Sequence, residues 1–132
     1  MVNSSNCIFS IVIATFNSEL TIKECLQSIK KQNYQSFEII VIDNCSTDKT
    51  IEIIEKFHFK KIKILIEKDN GIYDAINKGI RNSNGKIISI LHSDDFYYNN
   101  DVLKKLHYYF NRYRTEIIYG NLVYVERKNI KK

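Results

Sequence analysis

A chain of 132 residues with 44% hydrophobic side chains is the size of one domain and carries apolar material for one core, not two. Apolar runs such as Ile11 to Ala14 and Ile39 to Ile42 stop after four residues, far short of the roughly 20 that a bilayer span needs, and the N-terminus lacks the cationic start and apolar stretch of a secretory signal. The net charge of +5 gathers in Lys56 to Lys63 and in Arg127, Lys128, Lys131 and Lys132 rather than in an arginine-rich stripe, so nucleic-acid binding is not expected.

In chain order, short runs rich in Ile and Val alternate with segments of helical periodicity, the pattern of βαβ units around a parallel sheet buried on both faces. The first strand is placed at Phe9 to Ala14. A helix from about Glu19 to Gln32 follows, with Ser18 as its N-cap and Ile22, Cys25, Leu26 and Ile29 on one face. The second strand is Glu38 to Asp43, and Ser46 is expected to cap the next helix, whose inner face is Thr50, Ile51, Ile54 and Phe57. After a third strand, Ile62 to Glu67, a helix following Gly71 is expected to turn Ile72, Ala75, Ile76 and Ile80 inward and to stop at Asn82-Ser83-Asn84-Gly85. Lys86 to Leu91 forms the fourth strand. The last helix starts near Asp101 and buries Val102, Leu106 and Phe110, and a final strand is placed at Ile117 to Tyr119 with its continuation at Leu122 to Val125. No proline, repeat or low-complexity stretch divides the chain, so residues 1–132 are read as one domain, with a sheet that continues past its C-terminus.

Ligands of open parallel sheets bind beyond the carboxyl ends of the strands, where loops diverge and helix N-termini converge. The polar clusters of this sequence fall on that edge: Thr15-Phe16-Asn17 after the first strand, Asp43-Asn44-Cys45-Ser46 after the second, Lys68-Asp69-Asn70-Gly71 after the third and His92-Ser93-Asp94-Asp95 after the fourth. Adjacent Asp94 and Asp95 are hard oxygen ligands suited to Mg²⁺ or Mn²⁺, ions that complete their shells with waters and substrate phosphates. A cation is also needed on electrostatic grounds, because two like charges about 4 Å apart repel by roughly 4 kcal/mol at an effective dielectric near 20. Each cluster has a plainer reading as well. An acidic pair also caps a helix or sits solvated, Asp43 forms turns, Asn17 initiates a helix, and Asp74 and Asn77, three apart on one helix face, also suit solvent. His92 has no partner at metal-ligand spacing.

These residues, in this order, resemble the N-terminal half of the family 2 glycosyltransferases, inverting enzymes with the nucleotide-diphosphosugar transferase fold (GT-A-like, Rossmann-like). The matching strings are Ser-Ile-Val-Ile-Ala-Thr-Phe-Asn (Ser10 to Asn17), Glu-Ile-Ile-Val-Ile-Asp-Asn-Cys-Ser-Thr-Asp (Glu38 to Asp48) and Leu-His-Ser-Asp-Asp (Leu91 to Asp95). A fourth, Glu67 to Ile80, is similar to the subgroup that builds bacterial O-antigen, capsule or exopolysaccharide.

The resemblance implies a nucleotide pocket lined by Ala14, Thr15 and Asn17, base contacts from Asp43 and Asn44, and Asp74 and Asn77 facing the nucleotide. Ser93-Asp94-Asp95 becomes the acidic metal motif, with Asp95 the direct ligand of Mn²⁺ or Mg²⁺ and Asp94 reaching the ribose or a metal-bound water. Asn44 stands where many relatives carry Asp, and its amide oxygen can accept from a uracil NH, which favours a UDP-sugar and leaves the base open. The implied reaction is a single displacement on a nucleotide-sugar donor by a saccharide or lipid-linked acceptor. Its general base belongs to an acceptor-binding half; Asp101 and Glu116 lie too near helix and strand starts to serve. The competing expectation is a non-catalytic nucleotide-sugar-binding module. Cys7, Cys25 and Cys45 read as free thiols of a reducing compartment, so the protein is expected in the cytoplasm. Its basic clusters suit either plain solvation or peripheral association with the inner face of the membrane.

Overall fold

A computed structural model describes residues 7–126. Four strands, β1 (Phe9–Thr15), β2 (Phe37–Asp43), β3 (Ile62–Ile66) and β4 (Ile87–Ile90), form one sheet in the order β3-β2-β1-β4, with every pair parallel. The helices between them are α1 (Ile22–Lys30), α2 (Thr50–Glu55) and α3 (Ile72–Arg81), and α4 (Val102–Tyr113) follows β4.

β1 and β2 are central and lie between two layers, which is why they read as unbroken apolar runs rather than alternating ones. Successive side chains of a strand point to opposite faces, and the core divides accordingly. Phe9, Ile11, Ile13, Ile39 and Val41 pack with Ile22, Cys25, Leu26 and Ile29 of α1, Ile54 of α2 and Leu103 of α4. On the other face Val12, Ile40 and Ile42 pack with Ala75 of α3. Full burial of one such aliphatic side chain contributes about 1.5–3 kcal/mol.

α3 differs from its expected packing. Its buried residues are Ala75 and Gly79, whereas Ile72 and Ile80, both expected inward, are exposed. Small residues let the helix approach the sheet closely: a Cβ on Gly79 would lie 2.3 Å from Cγ1 of Val12. The helix opens from Gly71 at φ 110°, a conformation that disfavours any side chain.

The expected caps are corrected too. α1 starts at Ile22 rather than near Glu19, because the Ser18 carbonyl accepts the Thr21 and Ile22 amides in a preceding turn while the Ser18 hydroxyl bonds elsewhere. At the start of α2 the Thr50 amide is taken by Asp48 Oδ1 at 2.9 Å, not by Ser46. No strand forms at Ile117 to Tyr119 or Leu122 to Val125. These residues are β-prone, but strand propensity is realised only against a partner strand; none pairs with them among the described residues, and Tyr119 and Tyr124 are at least 90% exposed. Arg127, Lys128, Lys131 and Lys132 lie outside the described residues. Among the described residues no helix is long and apolar enough to cross a membrane.

Candidate functional site

The sheet order reverses between β1 and β4, the position at which an open α/β sheet leaves a crevice beyond its strand ends. Thr15, Asp43 and Ile66 stand in register at the ends of three strands, so the segments that follow them leave from one edge. Thr15 is buried, and its Oγ1 has no hydrogen-bond partner among the described residues. Ala14 is packed with the Val12, Ile40 and Ile42 cluster on the α3 face.

Asn17 and Asp43 organise the first two segments. Asn17 adopts a left-handed conformation, φ 46°, which asparagine tolerates better than most residues. Its amide donates to Ser46 Oγ at 2.9 Å, and its side-chain oxygen accepts the Thr47 amide at 2.8 Å. The fully buried Asp43 carboxylate accepts from the Ser46 amide at 2.7 Å and from its hydroxyl at 2.5 Å. Ser46 therefore links Asp43 to Asn17 and does not cap a helix. Farther along, the Ser18 amide donates to Thr50 Oγ1 at 2.8 Å, the Glu19 amide to Asp48 Oδ2 at 3.1 Å and the Lys49 amide to Glu19 Oε2 at 3.0 Å. Burial would raise the Asp48 carboxyl, but the Thr50 hydroxyl and amide and the Glu19 amide outweigh it and hold it below the usual range.

The segment after β3 is tied in by Asn44, whose Oδ1 accepts the Asp69 amide at 3.0 Å. Asp74 accepts the Asn70 amide at 3.0 Å and pairs with Lys78 at 3.3 Å. That amide bond, and after it Lys78, keep the Asp74 carboxyl low against its modest desolvation. Asp74 thus closes the turn that starts α3, and Asn77 lies exposed on the same helix.

The acidic turn completes the edge. The Leu91 amide still bonds to the Val12 carbonyl, and the Asp95 amide returns to the His92 carbonyl at 3.0 Å, so Ser93 and Asp94 occupy the bend. Ser93 Oγ meets Ser18 Oγ at 2.9 Å. Asp94 is exposed and Asp95 half-buried. The Cys25 thiol of α1 donates to the His92 carbonyl at 3.6 Å and is pushed up to about 12, first by burial and then by the charges of Asp95 and Asp94. The far side of the turn is pinned by Tyr97, whose amide donates to Ser28 Oγ at 3.0 Å and whose ring hydroxyl meets Ser89 Oγ at 2.9 Å.

Two carboxylates suit a small hard cation that draws its remaining ligands from water and phosphate. Among the described residues no group of three or more His, Cys, Asp or Glu side chains forms an all-protein cage. Asp94 and Asp95 alone would leave most of such an ion's shell to water and phosphate.

Hydrogen bonds join the segments after β1, β2 and β4, with Asn17, Asp43 and Ser93 among the expected residues that make them. Ser18, Glu19, Asp48, Thr50 and Lys78 were missed as participants. For Asp48 and Thr50 a signal existed, since Asp two residues before Thr at a helix start is a capping pattern. Nothing local marks Ser18 as a partner of Ser93.

The model of the family described as "Glycosyl transferase family 2" matches residues 10–132. A PGL/p-HBAD biosynthesis glycosyltransferase of Mycobacterium bovis is 31% identical over 119 residues, covering 87% of this chain and 46% of the relative. The poly(ribitol-phosphate) beta-N-acetylglucosaminyltransferase TarS of Staphylococcus aureus is 32% identical over 115 residues, covering 83% of this chain and 20% of TarS. This chain thus spans less than half the length of either relative. A crystal structure of TarS 1-349 in complex with UDP-GlcNAc superposes with a TM-score of 0.73 at 32% identity, over 80% of this chain and 32% of that one. A mannosyltransferase of Pyrobaculum calidifontis in complex with GDP-Man and Mn2+ superposes equally well, TM-score 0.73 over 80% of this chain and 32% of its own, but at 23% identity it shows the fold alone. The fold is that of the nucleotide-diphosphosugar transferases.

Proposed function

The chain belongs to glycosyl transferase family 2, and from that premise we propose that it holds the donor of a sugar transfer, a nucleotide diphosphate sugar with UDP-sugar first, for inverting transfer to a saccharide or lipid-linked acceptor in cell-surface polysaccharide synthesis. The observation that carries this reading is the joining of the segments after β1, β2 and β4 at the sheet reversal: Asn17 to Ser46 and Thr47, Ser18 to Thr50, and Ser18 to Ser93. The likeness to TarS, solved with UDP-GlcNAc, supports a uridine donor.

In this reading Thr15, Asn17, Asp43 and Asn44 shape the nucleoside side of the site, with Ala14 packed beneath. Asp74 and Asn77 border it from α3, and Ser93, Asp94 and Asp95 form the diphosphate side. Asp95, with Asp94, would hold Mn²⁺ or Mg²⁺. Bound there, the ion supplies neutralisation of the diphosphate as its bond to the sugar breaks. The chain's own part is to bind and orient the donor; no described residue is assigned as the base that deprotonates the acceptor. A protein working in the cytoplasm beside the inner membrane fits this reading, each lysine of the Lys56 to Lys63 segment near anionic headgroups contributing about 1 kcal/mol.

The test is a thermal-shift or calorimetric panel of UDP-, GDP- and dTDP-sugars with and without Mn²⁺. A Mn²⁺-dependent response to a uridine nucleotide is expected, and Asp95→Ala abolishes it. An undiminished response in that variant overturns the metal assignment.

A further inference from the structure

Resting on that reading of the site, we propose that Ser18 is a positioning residue: its hydroxyl fixes the acidic turn to the two segments after β1 and β2 and sets the hydrogen-bonding polarity of Ser93. Ser18 is held by its backbone. Its amide donates to Thr50 Oγ1 at 2.8 Å, and the hydroxyl of Thr50, fully buried, donates a hydrogen bond to Asp48 Oδ1 at 2.5 Å. The next amide, of Glu19, is held by the other oxygen of the same carboxylate at 3.1 Å. Asp48 therefore anchors the chain on both sides of the Ser18 carbonyl.

The side chain then has two neighbours. Ser18 Oγ lies 3.2 Å from the Phe16 carbonyl and 2.9 Å from Ser93 Oγ. A hydroxyl carries one proton, and the carbonyl can only accept. Both contacts are satisfied together in one arrangement: Ser18 donates to Phe16, and Ser93 donates to Ser18. Ser93 is left with oxygen lone pairs and no proton to offer. It suits a hydroxyl-type donor of the ligand, a ribose hydroxyl or a metal-bound water, and it does not donate to a phosphate oxygen. The row Asp48, Thr50, Ser18, Ser93 is thus a continuous hydrogen-bonded tie from the start of α2 to the residue before Asp94.

The tie predicts a particular pattern in UDP binding to the whole chain. Losing one neutral hydrogen bond weakens an interaction several-fold, so Ser18→Ala is expected to bind UDP roughly fivefold more weakly with Mn²⁺ present and to lose the same factor from the ratio of its affinities with and without Mn²⁺. Ser18→Thr, which keeps the hydroxyl, restores that ratio. Ser18→Ala added to Ser93→Ala produces no further loss, since Ser18 acts on the ligand only through its bond to Ser93. If Ser18→Ala weakens UDP equally with and without Mn²⁺, or if the two substitutions add, Ser18 is only a structural residue and the inference falls. If the unsubstituted chain binds UDP without any response to Mn²⁺, the reading of the site falls first, a distinct result.

Discussion

Backbone strain at single positions shows where this site is demanding. Cys45, between Asn44 and Ser46, has φ 56°, in the left-handed region where a side chain costs about 1–2 kcal/mol. The conformation is imposed by the bonds around it, since Asn44 reaches back to Thr15 and Asp69 while Ser46 folds onto Asp43. Cys45→Gly removes the strain and adds freedom to the unfolded chain worth up to about 1 kcal/mol. A net gain of about 0.5 kcal/mol is expected, raising Tm by about 2 °C; a lower Tm would show that the thiol packs more than it strains. The residues at this scale were the most legible in the sequence. Asp43, Asn17, Asp94 and Asp95 could be placed because strand ends are easy to locate and polar side chains collect there. Ser18 and Ser46 were misassigned as caps, because a hydroxyl before a helix looks the same whether it bonds to its own turn or to a loop 75 or 29 residues away.

Among the elements, α3 carries the clearest gap between pattern and packing. Hydrophobicity pointed to Ile72, Ala75, Ile76 and Ile80, and Ala75 is buried as expected; but a helix crossing β1 and β2 closely needs small side chains at the contact, so Gly79 joins Ala75 there while Ile72 and Ile80 stay exposed. Gly79→Ala sets a methyl group against Val12, a fully buried and β-branched residue with little room to turn. Overpacking of this kind costs typically 1–3 kcal/mol. A loss of about 2 kcal/mol in denaturant unfolding is expected, and a neutral result would mean that α3 slides freely. The same logic explains the last strand that did not form. Ile117, Tyr119, Leu122 and Tyr124 have the right residue types, yet strand formation depends on a neighbour that residue type does not encode.

For the whole molecule, the alternation of apolar runs and helices was enough to foresee a parallel sheet, its two layers and the edge that bears the site. Strand order was not foreseen, because it depends on which helix covers which face. That order also has a kinetic side. β1 pairs with β2 across one short crossover, Phe9 with Phe37, but it meets β4 only at Ile87, after three helices and two other strands. Closing a longer loop costs more chain entropy, so β4 is expected to join the sheet last and to open first. Hydrogen exchange should find the Ile87–Ile90 amides less protected than those of Ile11 to Ile13; equal protection would mark the sheet as a single cooperative unit. Because Ser93, Asp94 and Asp95 ride on the end of that late strand, the chain can hold a nearly complete β3-β2-β1 sheet before its acidic turn exists. A ligand that bridges the turn to Asn17 and Asp43 would then act as a folding template, slowing the loss of β4 as well as being held by it.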